Sequence, residues 1–200
     1  MHRPIVLAFL FVTITGGVPL DARGPAIAIP HRYDDYFRKY SKRFFGPAFD
    51  WRLFKAQGMA ESGLSSTALS ERGARGVMQL MPSTSREVLL KNKEFGDLGN
   101  PEWNIAAGIW YGRQLWLSWA EDAESPHLRE FMLGSYNAGR VPLTRAQSLA
   151  AERKLDRKKW ASIQAVAPFV PRWDYRQTFE YIQRIFVNLQ HMDRLGRITP

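Results

Sequence analysis

Small and apolar residues recur at every third or fourth position between residues 104 and 119, and this spacing constrains the fold more than any other feature. Residues at such intervals share one face of a helix with 3.6 residues per turn. Those on this face are Ile105, Gly108, Gly112, Leu115 and Trp119. No segment of useful length alternates apolar and polar residues as a half-buried strand does. The sequence therefore predicts an all-α fold without internal repeats.

Turn-forming residues divide the rest of the chain into further predicted helices. Asp50 is expected to cap a helix that carries Trp51, Phe54 and Met59 near one face. Residues 63–76 are rich in Ser and Gly, so they predict a loop or a broken helix. The remaining helices are expected over residues 33–45, 82–90, 126–136, 142–152, 156–165 and 176–192.

The beginning of the chain resembles an export signal. Two basic residues precede an uncharged apolar run over residues 5–14, which has the length of a signal-peptide core and is short for a membrane span. Ala26-Ile27-Ala28 has the small–x–small pattern of a cleavage site. We therefore expect a signal peptide over residues 1–28, with an uncleaved anchor as the alternative. The other predicted segments are a helical extension (29–47), a main domain (48–192) and a C-terminal tail (193–200).

Composition excludes several classes of site. The chain has no cysteine, so it has no disulfide, thiolate metal site or cysteine nucleophile. Its four histidines are far apart and lack metal-ligand spacing, so no metal site is expected. The net charge of +9 favours polyanions such as nucleic acid, anionic lipid or the acidic polymers of a cell wall. No nucleic-acid-binding motif is present, and an export signal also argues against a nucleic-acid partner.

One segment, residues 59–84, carries the candidate chemistry. It places Glu61 at the end of an apolar helix, and a loop with Gly73 and Gly76 separates it from Gln79. A carboxyl buried at such a position resists ionisation, so its pKa rises and it can hold a proton near neutral pH. Such a group can protonate a leaving oxygen as a general acid. The alternative interpretation is a surface Glu near a helix end.

This segment resembles the signature of the goose-lysozyme-like lytic transglycosylases, the soluble lytic transglycosylase (SLT) domain of glycoside hydrolase family 23. The matching elements are Glu61-Ser62, Ser70, Gly73-Ala74, Gly76, Met78-Gln79 and Met81-Pro82. Two later family motifs are matched by Asn104-Ile105 with Gly108 and Tyr111, and by Ser135-Tyr136-Asn137-Ala138-Gly139. The resemblance covers roughly residues 48–190, and it looks closest to the membrane-bound type F subgroup.

The resemblance implies a lysozyme-like α domain with a substrate cleft and a lyase that cleaves peptidoglycan. Glu61 would act first as acid and then as base at the β-1,4 bond between N-acetylmuramic acid and N-acetylglucosamine. The sugar's own C6 hydroxyl would attack and leave a 1,6-anhydro end, without water, metal or organic cofactor. The implied substrate-binding residues are Ser70, Gln79, Met81, Tyr136 and Asn137, with Tyr111 and Gln177 as further candidates.

The residue types leave other roles open for several of these side chains. Ser70 could be a solvated loop residue, Gln79 could cap a helix, and Met81 could pack in the core. Core packing is an equal alternative for Tyr111, and Asn104 is expected to be a helix cap rather than a ligand. Many family members carry a Glu in the last helix where this chain has Gln177, so Asp174 or Glu180 could take its place.

Two rival functions remain open. A hydrolytic muramidase would need a second carboxylate or a positioned water, whereas the motif neighbours of Glu61 are Ser and Gln. A non-catalytic peptidoglycan-binding component of an envelope-spanning machine would be expected to lack Glu61. The sequence thus predicts a monomeric enzyme of the periplasm or cell envelope, either free or membrane-associated. The expected substrate is the glycan strands of peptidoglycan, and the sequence does not identify a partner among envelope or secretion-machine proteins.

Overall fold

A computed structural model describes residues 31–196, with the side chains of residues 195 and 196 excepted. Within this range the backbone forms eight α-helices and two short 3₁₀ helices, at Ser125–His127 and Ala167–Phe169. The α-helices are α1 (Asp34–Phe45), α2 (Arg52–Ser62), α3 (Pro82–Lys91), α4 (Pro101–Trp119), α5 (Leu128–Ala138), α6 (Arg140–Glu152), α7 (Trp160–Val166) and α8 (Tyr175–Gly196).

The secondary structure confirms the all-α prediction for the described part of the chain. Between residues 31 and 196, extended pairing is limited to isolated bridges, Leu69 with Arg75 and Arg75 with Leu80. Both bridges lie in the segment between α2 and α3, which includes residues 63–76, where the Ser- and Gly-rich sequence predicted a loop. The predicted export signal lies outside the described residues. No helix in residues 31–196 has the length and apolar character needed to cross a membrane.

The start of α4 differs from the prediction. The helix begins at Pro101, because the side chain of Asn100 accepts a hydrogen bond from the Glu102 amide at 2.8 Å and proline suits the first helical position. Asn104 therefore lies inside the helix, where it is 1 % exposed. The prediction that Asn104 caps a helix is wrong, and its side chain serves the loop described below.

Helix α4 forms the centre of the core and packs against α1 and α5. Its predicted apolar face is buried, with Ile105 and Trp119 fully enclosed, and Ile109 beside them is enclosed as well. The Trp119 indole N–H donates to Ser135 Oγ of α5 at 2.9 Å, which satisfies two buried polar groups at once. Gly108 permits a close approach to the loop, since an added Cβ would lie 2.6 Å from Met78 Cβ.

Helix α2 packs lengthwise against α8, and this contact determines where its last turn lies. Asn188 of α8 donates its side-chain N–H to the Ala56 carbonyl at 3.2 Å, and Arg52 pairs with Asp193 at 2.6 Å. On the opposite side, a buried ion pair between Lys55 and Asp34 joins α2 to α1. These contacts hold α2 from both sides, so the residues at its C-terminal end have a defined position.

Candidate active site

Glu61 lies in the last turn of α2, which ends at a glycine. Gly63 adopts the left-handed conformation (φ 61°), and its amide donates to the Met59 carbonyl at 3.0 Å. This is a common helix ending, because glycine adopts positive φ without a steric penalty. Ser62 then turns inward and donates to the Val77 carbonyl at 2.8 Å, which joins the helix end to the following loop.

The buried side chain of Asn104, in α4, holds the loop between α2 and α3 through hydrogen bonds. The Asn104 Oδ1 accepts from the Met78 amide at 2.8 Å, and its Nδ2 donates to the Arg75 and Leu98 carbonyls, each at 3.2 Å. Gly76 has φ 77°, and an added Cβ there would lie 2.5 Å from Asn104 Nδ2. The motif glycine is therefore required both by its backbone conformation and by the space that Asn104 occupies.

A hydrogen-bonded chain of side chains leads from the core to Glu61. The Tyr181 hydroxyl of α8 donates to Glu61 Oε1 at 2.6 Å, and it accepts from Gln57 Nε2 at 3.0 Å. Tyr181 and Gln57 are both buried, at 2 % and 0 % exposure. Glu61 itself is half-buried, so one side of its carboxyl is fixed by the protein while it keeps access to solvent.

The surroundings of Glu61 favour its protonated form. Burial raises the pKa of Glu61 from 4.5 to about 7, against the opposing effects of the Tyr181 hydrogen bond and the positive charge of Arg184. Burial and the nearby Glu61 charge also raise the pKa of the Tyr136 and Tyr181 hydroxyls well above its usual range, so both remain protonated. A proton can therefore be held by Glu61 or released from it near neutral pH.

Glu61 opens onto a cavity of about 500 Å³ between the loop, α5 and α8. The structure brings these predicted site residues to its wall: Glu61, Ser70, Gln79, Met81, Tyr136, Asn137 and Gln177. Three further residues on the wall were not predicted, namely Glu71, Arg72 and Ala74. Tyr111 is not among the lining residues. It packs edge-on against the Tyr136 ring with 5.4 Å between ring centroids.

Three side chains at this cavity already form hydrogen bonds within the protein, and each keeps a donor or an acceptor that a ligand could use. Ser70 Oγ accepts from the Ala74 amide at 2.9 Å, so its own O–H remains to donate. Gln79 Nε2 donates to the Gly76 and Ala68 carbonyls at 3.0 and 3.3 Å, which leaves its carbonyl oxygen to accept. The Tyr136 hydroxyl donates to the Met78 carbonyl at 2.9 Å, so towards a ligand it can only accept.

These hydrogen bonds and the exposure of Met81 decide between the structural alternatives that the sequence left open for Gln79, Met81 and Ser70. Gln79 does not cap α3, whose N-cap is Met81; its amide holds the loop instead, and its backbone has φ 45°. Met81 is 38 % exposed and is no core residue. Ser70 both supports the loop and lines the cavity.

Gln177 lies at the cavity wall, and only one of its two candidate substitutes lies beside it. Asp174 shares a smaller adjoining cavity with Gln177, and its Oδ1 accepts from the Gln177 amide at 3.1 Å. Glu180 lines a different groove, between α2 and α8, together with Met59 and Val187. The prediction left Asp174 and Glu180 as alternatives, and Asp174 is the one near the cavity.

Tyr181 is the main site residue that sequence reasoning missed. It belongs to the segment that contains Gln177, and its helical spacing from Gln177 places the two on one side of α8. That spacing was an available signal, but its contact with Glu61 spans 120 residues of sequence. No group of three or more metal-ligating side chains occurs in residues 31–196.

Comparison with known proteins gives consistent matches. The family model for the transglycosylase SLT domain matches residues 35–159. A membrane-bound lytic murein transglycosylase F from Pseudomonas putida (strain GB-1) is 30% identical over 149 residues, covering 74% of this chain and 29% of that protein. The protein of the same name from Photobacterium profundum is 30% identical over 150 residues, covering 75% and 27%. The chain thus spans less than a third of the length of these curated relatives.

Solved structures share the fold. The 70 kDa soluble lytic transglycosylase SLT70 from Escherichia coli superposes with a TM-score of 0.66 at 22% identity, over 84% of this chain and 25% of that one. An inactive Glu-to-Gln mutant of the lytic transglycosylase Slt from Pseudomonas aeruginosa gives a TM-score of 0.64 at 21% identity, with the same coverage. This likeness confirms the predicted fold class. Because the family model covers more than half of the residues, the chain belongs to the transglycosylase SLT domain family.

Proposed function

We propose that this chain is a peptidoglycan lytic transglycosylase and that Glu61 is its catalytic acid and base. The observation that carries the proposal is the position of Glu61, a half-buried carboxyl held by Tyr181 on the wall of a cavity of about 500 Å³, where burial raises its pKa to about 7. A general acid/base works best when its pKa lies near the working pH. The relatives are named as murein transglycosylases, and the likeness to a structure of an inactive Glu-to-Gln mutant agrees with a catalytic Glu.

The proposed reaction needs one carboxyl in two protonation states. Protonated Glu61 gives its proton to the glycosidic oxygen, and the bond between C1 of N-acetylmuramic acid and this oxygen breaks. The sugar's acetamido oxygen supports the positive charge at C1. The C6 hydroxyl then attacks C1, and its proton passes to the Glu61 carboxylate. A 1,6-anhydro ring forms, Glu61 is protonated again, and no water is consumed.

The groups left open in the cavity suit the substituents of such a sugar. The acetamido N–H is a donor, and the Tyr136 hydroxyl and the Gln79 carbonyl can only accept. The Ser70 hydroxyl can donate to a carbonyl or hydroxyl oxygen. Met81 supplies apolar surface beside them. The roles of Ser70, Gln79, Met81, Tyr136 and Asn137 in binding form part of this proposal.

Tyr181 and Gln57 would position the catalytic group. When Glu61 is a carboxylate, the Tyr181 hydroxyl donates to it, as the 2.6 Å contact supports. When Glu61 is protonated on Oε2, the same O–H still donates to Oε1, so the acidic proton stays on the oxygen that does not contact Tyr181. The buried Gln57 amide keeps the Tyr181 oxygen in place through both steps.

One observation favours a second candidate, a hydrolytic muramidase. Glu71 lies on the same cavity wall, and a second carboxylate is what a hydrolytic mechanism would require to activate water. Glu71 is exposed, and none of the described residues forms an ion pair with it. Products distinguish the two reactions, because hydrolysis leaves reducing ends and adds one water.

The test combines product analysis with two matched variants. We expect purified peptidoglycan to yield 1,6-anhydro muropeptides by mass spectrometry. Glu61→Gln should lower the rate of release by about 10²–10⁴-fold while binding to peptidoglycan is kept. Glu71→Gln, which makes the same change on the same wall, should stay within a few-fold of the parent protein. Reducing-end products that depend on Glu71 would replace this proposal with the muramidase.

We also propose that the protein acts in the cell envelope, where murein is found. The curated relatives carry the description membrane-bound, and the sequence of residues 1–28 is typical of an export signal. Sequencing the N-terminus of the protein recovered from cell fractions tests cleavage near Ile29. Retention of Met1 in a membrane fraction would establish an anchor instead.

A further inference from the structure

The hydrogen-bonded chain behind Glu61 ends at Gln57, whose amide is only half used. Gln57 is fully buried, and its Nε2 donates to the Tyr181 hydroxyl at 3.0 Å. Its Oε1 is buried as well, but it has no hydrogen-bond partner within residues 31–196. A buried polar atom without a partner is costly, because folding removes its hydration and returns nothing for it. Gln57 therefore adds little to stability, and its contact with Tyr181 points to a function.

The Gln57 amide determines which way the Tyr181 hydroxyl donates. Because Gln57 presents an N–H, the Tyr181 oxygen accepts from it, and the single proton of Tyr181 is left for Glu61 Oε1 at 2.6 Å. A carbonyl oxygen in place of this N–H would compete with Glu61 for that proton. Burial and the Glu61 charge raise the pKa of Tyr181, and the Gln57 donor opposes them, so it also makes Tyr181 a stronger hydrogen-bond donor.

This direction makes the two oxygens of Glu61 unequal. Oε1 accepts from Tyr181, while Oε2 has no hydrogen-bond partner in the part of the chain that the structure describes. A proton on Oε1 would point at the Tyr181 oxygen, which already accepts from Gln57, and would leave the buried Tyr181 O–H without an acceptor. A proton on Oε2 avoids both costs. Oε2 is therefore the oxygen that carries the proton of the acid form, on a side chain that lines the cavity.

We propose that Gln57 is a positioning residue: by donating to Tyr181, it holds the Tyr181 O–H towards Oε1 of Glu61 and so keeps the proton that Glu61 transfers on Oε2. This inference rests on the proposed function, and it assigns Gln57 to catalysis rather than to folding. Gln57 acts only through Tyr181, because it is fully enclosed and cannot contact a substrate. The charged and titratable groups around Glu61 come from α8, α5 and the loop, and all of them are kept when Gln57 is changed: Tyr181, Arg184, Tyr136, Glu71 and Arg72.

The first test replaces Gln57 by Met, which keeps the length of the side chain, removes the donor and adds only a weak acceptor. Without the donor, Tyr181 donates less strongly to the Glu61 carboxylate, so the alkaline limb of the kcat/KM profile should move up by about 0.2–0.5 pH unit. We expect kcat to fall by about two- to fivefold, the effect of one lost neutral hydrogen bond. KM should stay within about 1.5-fold, because no contact with the substrate is removed.

Gln147→Met is the matched control, since Gln147 of α6 is also buried and its Nε2 donates to the Asp122 and Arg157 carbonyls at 2.6 and 3.1 Å. Gln147→Met should lower the midpoint of urea unfolding by about 0.5–1 M and leave the pH profile unmoved. Gln57→Met should do the reverse, with a midpoint within about 0.3 M of the parent protein, because it also removes an unpartnered oxygen. An unmoved alkaline limb in Gln57→Met, or a midpoint lowered as far as in Gln147→Met, would overturn the proposal.

A double-mutant cycle tests whether Gln57 acts through Tyr181. When Gln57→Met is added to Tyr181→Phe, neither kcat nor the alkaline limb should change further, because the hydroxyl through which Gln57 acts is already gone. Equal effects of Gln57→Met in the parent protein and in Tyr181→Phe would refute this route.

A titration without substrate separates this proposal from the proposed function. The NMR signal of the Glu61 carboxyl carbon, identified by its loss in Glu61→Gln, should titrate about 0.2–0.5 pH unit higher in Gln57→Met than in the parent protein. A parent protein that cleaves no peptidoglycan would refute the catalytic role, while this titration would still decide whether Gln57 controls the protonation of Glu61. Superimposed titration curves would overturn the inference about Gln57.

Discussion

Replacing Glu61 by Gln is expected to stabilise the protein at neutral pH and above, but not in acid. Glu61 has an ordinary pKa of 4.5 when the chain is unfolded and a pKa of about 7 in the fold, because burial disfavours its charge. Folding therefore takes up a proton between these values, and stability falls as pH rises from about 4.5 to 7. Gln has the same shape and cannot ionise, so the free energy of unfolding of the variant should not show this decrease.

The magnitude follows from the same two values. A pKa change from 4.5 to about 7 corresponds to about 3 kcal/mol of unfavourable free energy for the ionised group. Glu61 keeps partial contact with solvent, which reduces the penalty, so we expect Glu61→Gln to gain about 1–3 kcal/mol above pH 7. The Tyr181 hydroxyl can still donate to the amide oxygen, so little should be lost in return.

Urea unfolding of both proteins at pH 4, 6 and 8 measures this difference. The two free energies of unfolding should nearly coincide at the lowest pH and diverge as the pH rises. Glu152→Gln, an exposed position at the end of α6, is the control and should change stability by less than about 0.5 kcal/mol. A difference between Glu61→Gln and the parent that is equal at all three pH values would refute the claim that burial holds a proton on Glu61.

Two further changes test the supports of the site. Tyr181→Phe removes the donor that favours the Glu61 carboxylate, so the pKa of Glu61 should rise further and the decline of kcat/KM in alkali should move to higher pH. Turnover should fall by about tenfold, less than in Glu61→Gln, and an unmoved alkaline limb would exclude Tyr181 as the positioning group. Gly76→Ala should destabilise the fold by about 1–3 kcal/mol, because its Cβ would lie 2.5 Å from Asn104 Nδ2 at φ 77°. Gly63→Ala is the matched control in denaturant unfolding, since it has a similar φ but no atom within 4 Å; equal losses in the two variants would mean that Asn104 yields without cost.

Much of the candidate site could be predicted because its residues lie in short segments with a distinctive order. One helix end and the loop that follows it contain four of these residues, Glu61, Ser70, Gln79 and Met81. A single local sequence pattern therefore predicts them together. Tyr136 and Asn137 form a second pattern at a helix end. The structure brings both segments to one cavity, while their roles towards a substrate remain predictions.

The residues that were missed act across the fold. Periodicity predicts that Tyr181 lies on a helix, but which residue of α2 it meets depends on how α2 and α8 pack. Asn104 was predicted wrongly for a different reason. The pair Asn100-Pro101 marks the start of α4 in the sequence, so Asn104 lies inside the helix, where it is buried and holds the loop.

The Asn104 anchor has a consequence for which positions of the loop can change over evolution. The loop is fixed by backbone groups and by buried or half-buried polar side chains such as Asn104, whereas the side chains of Glu71, Arg72 and Arg75 are exposed. Exchanging these outer side chains costs little folding free energy, because the loop does not depend on them. If the proposed function is correct, preference for differently modified cell walls can diverge at these positions while Glu61 and its supports stay unchanged.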